Sequence, residues 1–257
     1  MHGLSLARRG RTGQGFSLRA GPDDPRGRDL HGARLGDGMI GRVLRWLVGA
    51  VLGLAGLFVG LSLLYLVVTP PSTLMLGRWA TLAPVDRRVV PLSAISEHLP
   101  RAVISSEDAR FCRHRGVDWD ALQEVLDDEE GPSRGASTIS MQTAKNLFLW
   151  PGRSYIRKGL EIPVALWIDL VWSKRRMMEI YLNVAEWGEG IFGAEAAAQA
   201  YFRKSARDLS RREAALLAAA LPNPKQRNPA RPSAGHRRIA DRVMARAAAS
   251  GPVTGCL

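Results

Sequence analysis

Cysteine is scarce in this sequence of 257 residues. Its two cysteines, Cys112 and Cys256, are too few for a disulfide framework, and Cys256 lies so close to the last residue that order is not expected there. The cysteines therefore give no indication of the redox compartment. Hydrophobic residues are not scarce. They make up 46% of the chain against 23% charged residues, a balance that excludes wholesale disorder.

Motifs for nucleotides and nucleic acids are also lacking. The sequence contains no GxxxxGK[ST], and no helix-turn-helix, zinc or aromatic-rich RNA-binding motif. Positive charge is in excess, with 31 Arg and 5 Lys contributing to a net charge of +12. That excess suits an anionic partner, whether nucleic acid, acidic lipid or a phosphate-bearing substrate, and composition does not choose among them. Because the nucleic-acid motifs are absent, we expect no nucleic acid.

A long uncharged run lies near the start of the chain. Residues 46–68 are 23 consecutive positions without a charge. As a helix they would span roughly 34 Å, against about 30 Å for the hydrocarbon core of a bilayer. The run is longer than the apolar part of a signal peptide, and no cleavage pattern follows it. It predicts one uncleaved transmembrane helix, with a buried core helix as the alternative.

The flanking arginines indicate an orientation for this helix. Arg34, Arg42 and Arg45 precede it, and only Arg78 lies close behind it. Because cytoplasmic flanks carry the excess of Lys and Arg, the N-terminus is expected in the cytoplasm and residues 70–257 outside.

The remaining boundaries follow from composition. Residues 1–45 are rich in Gly, Arg and Asp without an apolar period, which predicts a disordered cytoplasmic tail. Met39, directly before the apolar run, is an alternative start. The prolines of residues 69–94 predict an extended lead-out. A core at 95–230 and a C-terminal helix and tail at 231–257 complete the division.

The outer part has a helical pattern and is predicted to be one mainly α domain. Apolar residues recur at three- and four-residue spacing in six segments, which are 117–128, 136–149, 155–182, 194–202, 210–221 and 235–249. The stretch 160–172 contains Trp167 and Trp172. It is interpreted either as a core helix or as a surface that rests on a membrane, since Trp favours the interface.

Three clusters could carry chemistry. Glu107 follows an apolar stretch and has basic neighbours, so it could be a general base or simply an ion-paired helix end. Hydroxyl, amide and cationic side chains from 135 to 158 suit a diphosphate, or form a solvated helix face. Glu161 lies four residues after Arg157. It could form a surface salt bridge with Arg157 or be a second acidic residue of the site.

In this order the clusters resemble glycosyltransferase family 51, the peptidoglycan polymerase module. The motif Glu-Asp-x-x-Phe-x-x-His-x-Gly is complete at 107–116. Gly-x-Ser-Thr-Ile-Thr-Gln-Gln occurs at 135–142 with Ser140 for Thr and Met141 for Gln, which puts the polar role of position 141 in doubt. Arg-Lys-x-x-Glu occurs at 157–161, and a variant of Lys-x-x-Ile-Leu-Glu-x-Tyr-Leu-Asn at 174–183. The transpeptidase motifs Ser-x-x-Lys and Lys-Thr-Gly are absent, so the likeness is to monofunctional members.

The resemblance implies a lysozyme-like, mainly α fold with a small membrane-proximal jaw lobe. It also implies polymerisation of lipid II by inverting displacement of undecaprenyl diphosphate at the periplasmic face of the inner membrane. Expected partners are lipid II, the nascent glycan strand, membrane lipid and other cell-wall synthesis or division proteins. A divalent cation, Mg²⁺, is expected with the substrate diphosphate. A lytic enzyme acting on peptidoglycan is the alternative, although it needs no basic diphosphate site.

The resemblance also assigns residues. Glu107 is the expected base, and Glu161 is the second essential acid, which would orient the cation or the acceptor. The residues expected to bind substrate are Ser137, Thr138, Gln142, Lys145, Arg153, Arg157 and Lys158. The residues expected to support the site are Asp108, Phe111, His114, Gly116 and Asn183.

Overall fold

The computed structural model describes residues 30–127, 137–152, 154–249 and 254–257, with backbone alone for 30–37 and Leu126. By compactness the chain divides into residues 1–54 and 55–257. The α-helices in the described ranges are α1 Leu30–Leu64, α2 Thr73–Ala80, α3 His98–Glu107, α4 Trp119–Leu126, α5 Ile139–Phe148, α6 Tyr155–Val171, α7 Lys174–Val184, α8 Ala194–Phe202, α9 Arg211–Ala220 and α10 Ala234–Ala249. The strands are β1 Asp86–Arg87, β2 Glu186–Gly188 and β3 Ile191–Phe192, and the 3-10 turns are Leu92–Ala94 and Ala206–Asp208.

Helix α1 contains residues 46–64 of the apolar run predicted at 46–68 and ends four residues earlier, at Leu64. Its stretch Gly38–Leu64 has 27 residues with a mean hydropathy of 2.4, long and apolar enough to cross a membrane. The helix begins at Leu30, so the predicted disorder of 1–45 is wrong for residues 30–45. Once an apolar segment has nucleated a helix, each further residue adds a hydrogen bond at low cost, which explains the extension. The rest of the predicted tail, 1–29, lies outside the described residues.

The prolines of residues 69–94 predicted an extended lead-out, but the segment is not wholly extended. Helix α2 forms within it because Ser72 caps its N-terminus, accepting a hydrogen bond from the backbone N–H of Met75. The Met75 side chain is fully buried and ties the helix to the core. Pro70 and Pro71 precede the helix, where they do not interrupt its hydrogen bonds.

The prediction of a mainly helical domain is confirmed, with one element corrected. Segment 194–202 is a helix with the predicted bounds. Segment 155–182, predicted as one helix, is two, because the chain is extended at Trp172 and Ser173. Ser173 then caps α7 by accepting from the backbone N–H of Arg176. Apolar spacing continues across the break, so periodicity alone did not reveal it.

A small sheet joins the lead-out to the segment after α7. The strand order is β1–β3–β2, with β1 parallel and β2 antiparallel to β3. The turn between β2 and β3 requires glycine at position 190, where φ is +74° and a Cβ would lie 2.7 Å from the carbonyl oxygen of Pro84.

The core is built around closely packed small side chains. Helix α9 packs against α3 and α10, and every residue from Ala214 to Ala220 is buried. Alanines at these positions let the helix backbones approach closely, so α3 is held firmly up to its last residue, Glu107.

Trp167 on α6 and Trp172 directly after it contact the last part of α1. The indole N–H of Trp172 donates to the carbonyl oxygen of Ser62 at 2.8 Å, and that of Trp167 donates to Ser62 Oγ at 2.9 Å. Trp172 is only 3% exposed, which confirms the core interpretation for this residue. The exposed large apolar side chains of α6 are those of Tyr155, Ile156, Leu160, Leu166 and Leu170.

A disulfide joins Cys112 to Cys256, whose Cα atoms are 5.6 Å apart across a sequence separation of 144. The expectation that residue 256 lacks order is therefore wrong. The contact is long-range, so nothing in the local sequence around Cys256 indicated it. The bond links the C-terminus to the loop that follows α3.

Removing this disulfide should destabilise the protein. The double variant Cys112→Ser/Cys256→Ser should lose about 2–5 kcal/mol of stability, because the bond restricts the unfolded chain. Thermal denaturation of the full chain in detergent measures the loss, and dithiothreitol should lower the Tm of the wild type but not of the variant. Alkylation of both cysteines in denatured, unreduced protein would contradict the bond.

Candidate active site

Glu107 is the last residue of α3 and is partly buried. Its Oε1 accepts from Ser106 Oγ at 3.2 Å, and its Oε2 accepts from Gln142 Nε2 at 3.1 Å. Burial raises the pKa of Glu107, and the hydrogen bonds from Gln142 and Ser106 oppose the rise. A carboxylate with a raised pKa is a stronger base, so this side chain is suited to accept a proton.

Asp108 organises the loop after α3. Its two carboxylate oxygens lie 2.8 and 3.0 Å from His114 Nε2, and Oδ2 also accepts from the backbone N–H of Ile139 at 2.9 Å. Asp108 and His114 are both buried side chains that contact each other. The pair joins the loop to the start of α5 and so sets where Glu107 lies relative to Gln142.

Two other motif residues pack the same loop against α6 and α7. Phe111 is fully buried, with Lys174 Nζ 4.7 Å above its ring centre. Lys174 also pairs with Asp169 at 2.6 Å. Gly116 has a φ of +74°, and a Cβ there would lie 2.7 Å from the carbonyl oxygen of Ala165. No other residue would fit at this position without moving the backbone of α6.

Helix α5 begins at the second motif. Thr138 caps the helix, accepting from the backbone N–H of Met141 at 3.1 Å and donating to the carbonyl oxygen of Gly116. Its hydroxyl is buried and makes both of these contacts, and Thr138 lines a cavity of about 370 Å³ together with Glu107, so its expected contact with substrate stays a prediction. Ser137, one residue earlier, accepts from Lys158 Nζ. Met141 is buried in the core, so an apolar side chain suits that position.

Helix α6 presents a buried ion cluster. Glu161 is 3% exposed, forms an ion pair with Arg157, and lies 2.8 Å from Lys158 Nζ through Oε2. The spacing of three and four residues places all three side chains on one face of the helix. The Arg157–Glu161 pair is thus not the surface salt bridge that the sequence left open.

Lys145, on α5, differs from the other two cations. Among the described residues its ammonium has no hydrogen-bond or ion-pair partner within bonding distance. Burial lowers the pKa of Lys145, the positive charges of Arg157 and Lys158 lower it further, and Glu161 opposes them. A buried cation without a partner is available to an anionic ligand.

One cavity brings most of the predicted site together. Its volume is about 280 Å³, and its lining residues are Glu107, Ser137, Gln142, Lys145, Arg157, Lys158, Glu161, Leu221 and Pro222. Two further cavities, of about 440 and 370 Å³, share Gln142 and Pro222 with it. Together they form a cleft with Glu107 and the cations at its middle.

Not every predicted residue lies at the cavity. Arg153 lies outside the described residues. Asn183 is buried and donates to the carbonyl oxygens of Val90 and Glu179, which matches a supporting position. Leu221 and Pro222 line the cavity but were not predicted as site residues. Their only signal was the break in helical pattern that follows α9.

The expected divalent cation does not fit these residues as a resident metal. No group of three or more His, Cys, Asp or Glu that could hold a metal occurs in the part of the chain that the structure describes. Both oxygens of Glu161 already contact cationic side chains. A metal would have to arrive with an anionic ligand, and we derive no chemical step through it.

A partly buried glutamate beside a cationic cavity suits an enzyme that transfers a group away from an anionic leaving group. The transglycosylase family profile matches residues 75–248. Proteins called biosynthetic peptidoglycan transglycosylase are similar to the chain. That of Rhodospirillum centenum is 58% identical over 200 residues, covering 76% of this chain and 87% of the relative. That of Nitrobacter winogradskyi is 51% identical over 218 residues, covering 84% and 96%. The chain belongs to the transglycosylase family.

The unpartnered Lys145 gives a prediction about anion binding. Lys145→Met should leave the fold intact, because no ion pair is broken, and should weaken binding of inorganic diphosphate about 10- to 100-fold through loss of a charge-assisted contact. Isothermal titration calorimetry measures the change. Lys204→Met is the matched control, since Lys204 pairs with Glu213 away from the cleft. Equal weakening in both variants would contradict the assignment.

Proposed function

We propose that the protein is a peptidoglycan glycosyltransferase of cell-wall synthesis that polymerises lipid II into β-1,4-linked glycan strands. Lipid II is a disaccharide-pentapeptide carried on undecaprenyl diphosphate. The observation that carries the proposal is the 280 Å³ cavity, whose lining includes a candidate base, Glu107, and three cations, Lys145, Arg157 and Lys158. Membership of the transglycosylase family and the names of the relatives support it.

Glu107 acts on the acceptor. Its carboxylate takes the proton of the acceptor's 4-hydroxyl as that oxygen attacks C1 of the donor sugar. The bond from O4 to C1 forms, the bond from C1 to the diphosphate oxygen breaks, and the α-linkage of the donor becomes a β-linkage. Gln142 and Ser106 hold one oxygen each, so the carboxylate keeps a single orientation toward the acceptor.

The cations act on the leaving group. Negative charge develops on the diphosphate as it departs, and Lys145, Arg157 and Lys158 are placed to neutralise it. Arg157 Nε is buried and has no hydrogen-bond partner among the described residues, and a phosphate oxygen would satisfy it. Glu161 holds Arg157 and Lys158 in position, which is the role that its contacts support best.

Replacing the base tests the proposal. Glu107→Gln keeps the shape of the side chain but cannot accept the proton, so polymerisation of labelled lipid II should fall about 10²- to 10⁴-fold. Gel analysis of the glycan products measures it, with Glu189→Gln, at an exposed position, as the control.

The same assay separates synthesis from cleavage. A lytic enzyme would leave lipid II intact and cut preformed glycan, a result that would overturn the proposal. The cationic cavity favours synthesis, because an uncharged glycosidic bond has no diphosphate to neutralise.

The shifted pKa values of Glu107 and Lys145 predict a bell-shaped dependence of activity on pH. Glu107 must be deprotonated, and burial raises its pKa, so kcat/KM should rise with pH through a midpoint above the ordinary carboxyl range. Lys145 must stay protonated, and burial lowers its pKa, so activity should fall at a pH below the ordinary lysine range. Lys145→Arg should move the alkaline limb upward because a guanidinium stays charged. An unmoved alkaline limb would contradict the role of Lys145.

The orientation in the membrane is part of the proposal. We place α1 across the inner membrane, the N-terminus in the cytoplasm and the catalytic cleft in the periplasm, where the lipid-linked substrate and growing strand would meet the enzyme. The apolar stretch of α1, the arginines before it and the disulfide support this arrangement, because disulfides persist in oxidising compartments. Fully reduced cysteines in protein trapped from cells by acid and alkylation would argue for the opposite orientation.

A further inference from the structure

We propose that Tyr181 is a positioning residue that holds the amide of Gln142 so that it donates to Glu107. The inference rests on the proposed role of Glu107 as the base. Tyr181 lies on α7, Gln142 on α5 and Glu107 at the end of α3. The two hydrogen bonds that join these side chains therefore connect three helices.

Hydrogen-bond directions follow from the chemistry of the groups. Tyr181 Oη lies 3.1 Å from Gln142 Oε1, and Gln142 Nε2 lies 3.1 Å from Glu107 Oε2. An amide oxygen only accepts, so the tyrosine hydroxyl is the donor, and the amide N–H then faces the carboxylate. If the amide were reversed, its oxygen would face the carboxylate oxygen and the two would repel.

Burial makes the tyrosine a fixed donor. Tyr181 is 1% exposed, so it borders the cleft without offering its own surface to substrate. Burial, and then the charges of Glu107 and Asp108, raise the pKa of Tyr181 well above its ordinary value. The hydroxyl therefore keeps its proton whenever Glu107 is ionised, and the direction of the hydrogen bonds does not change.

Several neighbouring groups affect the ionisation of Glu107, and Tyr181 acts on it through Gln142. Asp108, its neighbour in sequence, disfavours the charged carboxylate, and Lys145 on α5 favours it. The hydrogen bond from Gln142 also favours the charged form. Without the Tyr181 hydroxyl the amide can rotate, this hydrogen bond weakens, and Glu107 should hold its proton to a higher pH.

Tyr181→Phe removes the hydroxyl and keeps the ring. In steady-state polymerisation of lipid II we expect kcat to fall about 3- to 10-fold near neutral pH with little change in KM, and the acidic limb to move to higher pH. In a Gln142→Ala background the same substitution should have little further effect, because the tyrosine acts through that amide. Tyr201→Phe is the matched control, since the Tyr201 hydroxyl also donates one hydrogen bond at 3.1 Å, to the backbone oxygen of Trp187, but Tyr201 does not line the cleft.

A second measurement does not depend on turnover. Infrared difference titration of the full-length protein in detergent detects the carboxyl band that Glu107→Gln removes, and its midpoint should rise in Tyr181→Phe and not in Tyr201→Phe. An unshifted midpoint and limb, or full additivity with Gln142→Ala, would overturn the inference. Inactivity of the wild type toward lipid II would instead refute the proposed function, while the titration would still decide the role of Tyr181.

Discussion

The cleft depends on one constraint: an ionised side chain that is removed from water needs a partner of opposite charge. On α6 this partner is Glu161, whose buried carboxylate contacts both Arg157 and Lys158 and holds them side by side. Lys145 has no such partner among the described residues, and at this side chain the cavity can accept a negative charge from outside the protein. The cleft is therefore poised for an anion, and binding one improves the balance of its charges.

Most of the first motif serves to place Glu107 rather than to react. Asp108 and His114 fasten the loop to α5, Phe111 fills the core under Lys174, and Gly116 allows the backbone to touch α6. The disulfide adds a further restraint from the far end of the chain. In the proposed function, a base that must hold a fixed distance from an acceptor hydroxyl and a leaving diphosphate would need such support, since small misplacements lower rates strongly.

Hydrogen bonds connect the end of α1 to the α6 region. Ser62, near the end of α1, accepts hydrogen bonds from both tryptophans of the α6 region, and α6 also carries Arg157 and Glu161. The helix that holds the cations is thereby connected to the last turns of the apolar helix.

The sequence by itself determined what depends on local spacing. The apolar run predicted α1, helical periodicity predicted α8, and the spacing of Arg157, Lys158 and Glu161 placed their side chains on one face. Four motifs in order were enough to indicate the family and nearly all the residues of the cavity. These features follow from helix geometry and residue chemistry, which short stretches of sequence contain.

Only the tertiary structure decided which distant residues meet. The pairing of Cys112 with Cys256, the contact from Tyr181 to Gln142 and the engagement of the Thr138 hydroxyl by Gly116 all join positions far apart in the chain or on different elements. Local composition carries no record of such contacts, since they arise when packed helices bring side chains within hydrogen-bonding distance. Within the part of the chain that the structure describes, the same packing leaves Lys145 unpaired, whereas Arg157 pairs with Glu161 one helical turn away.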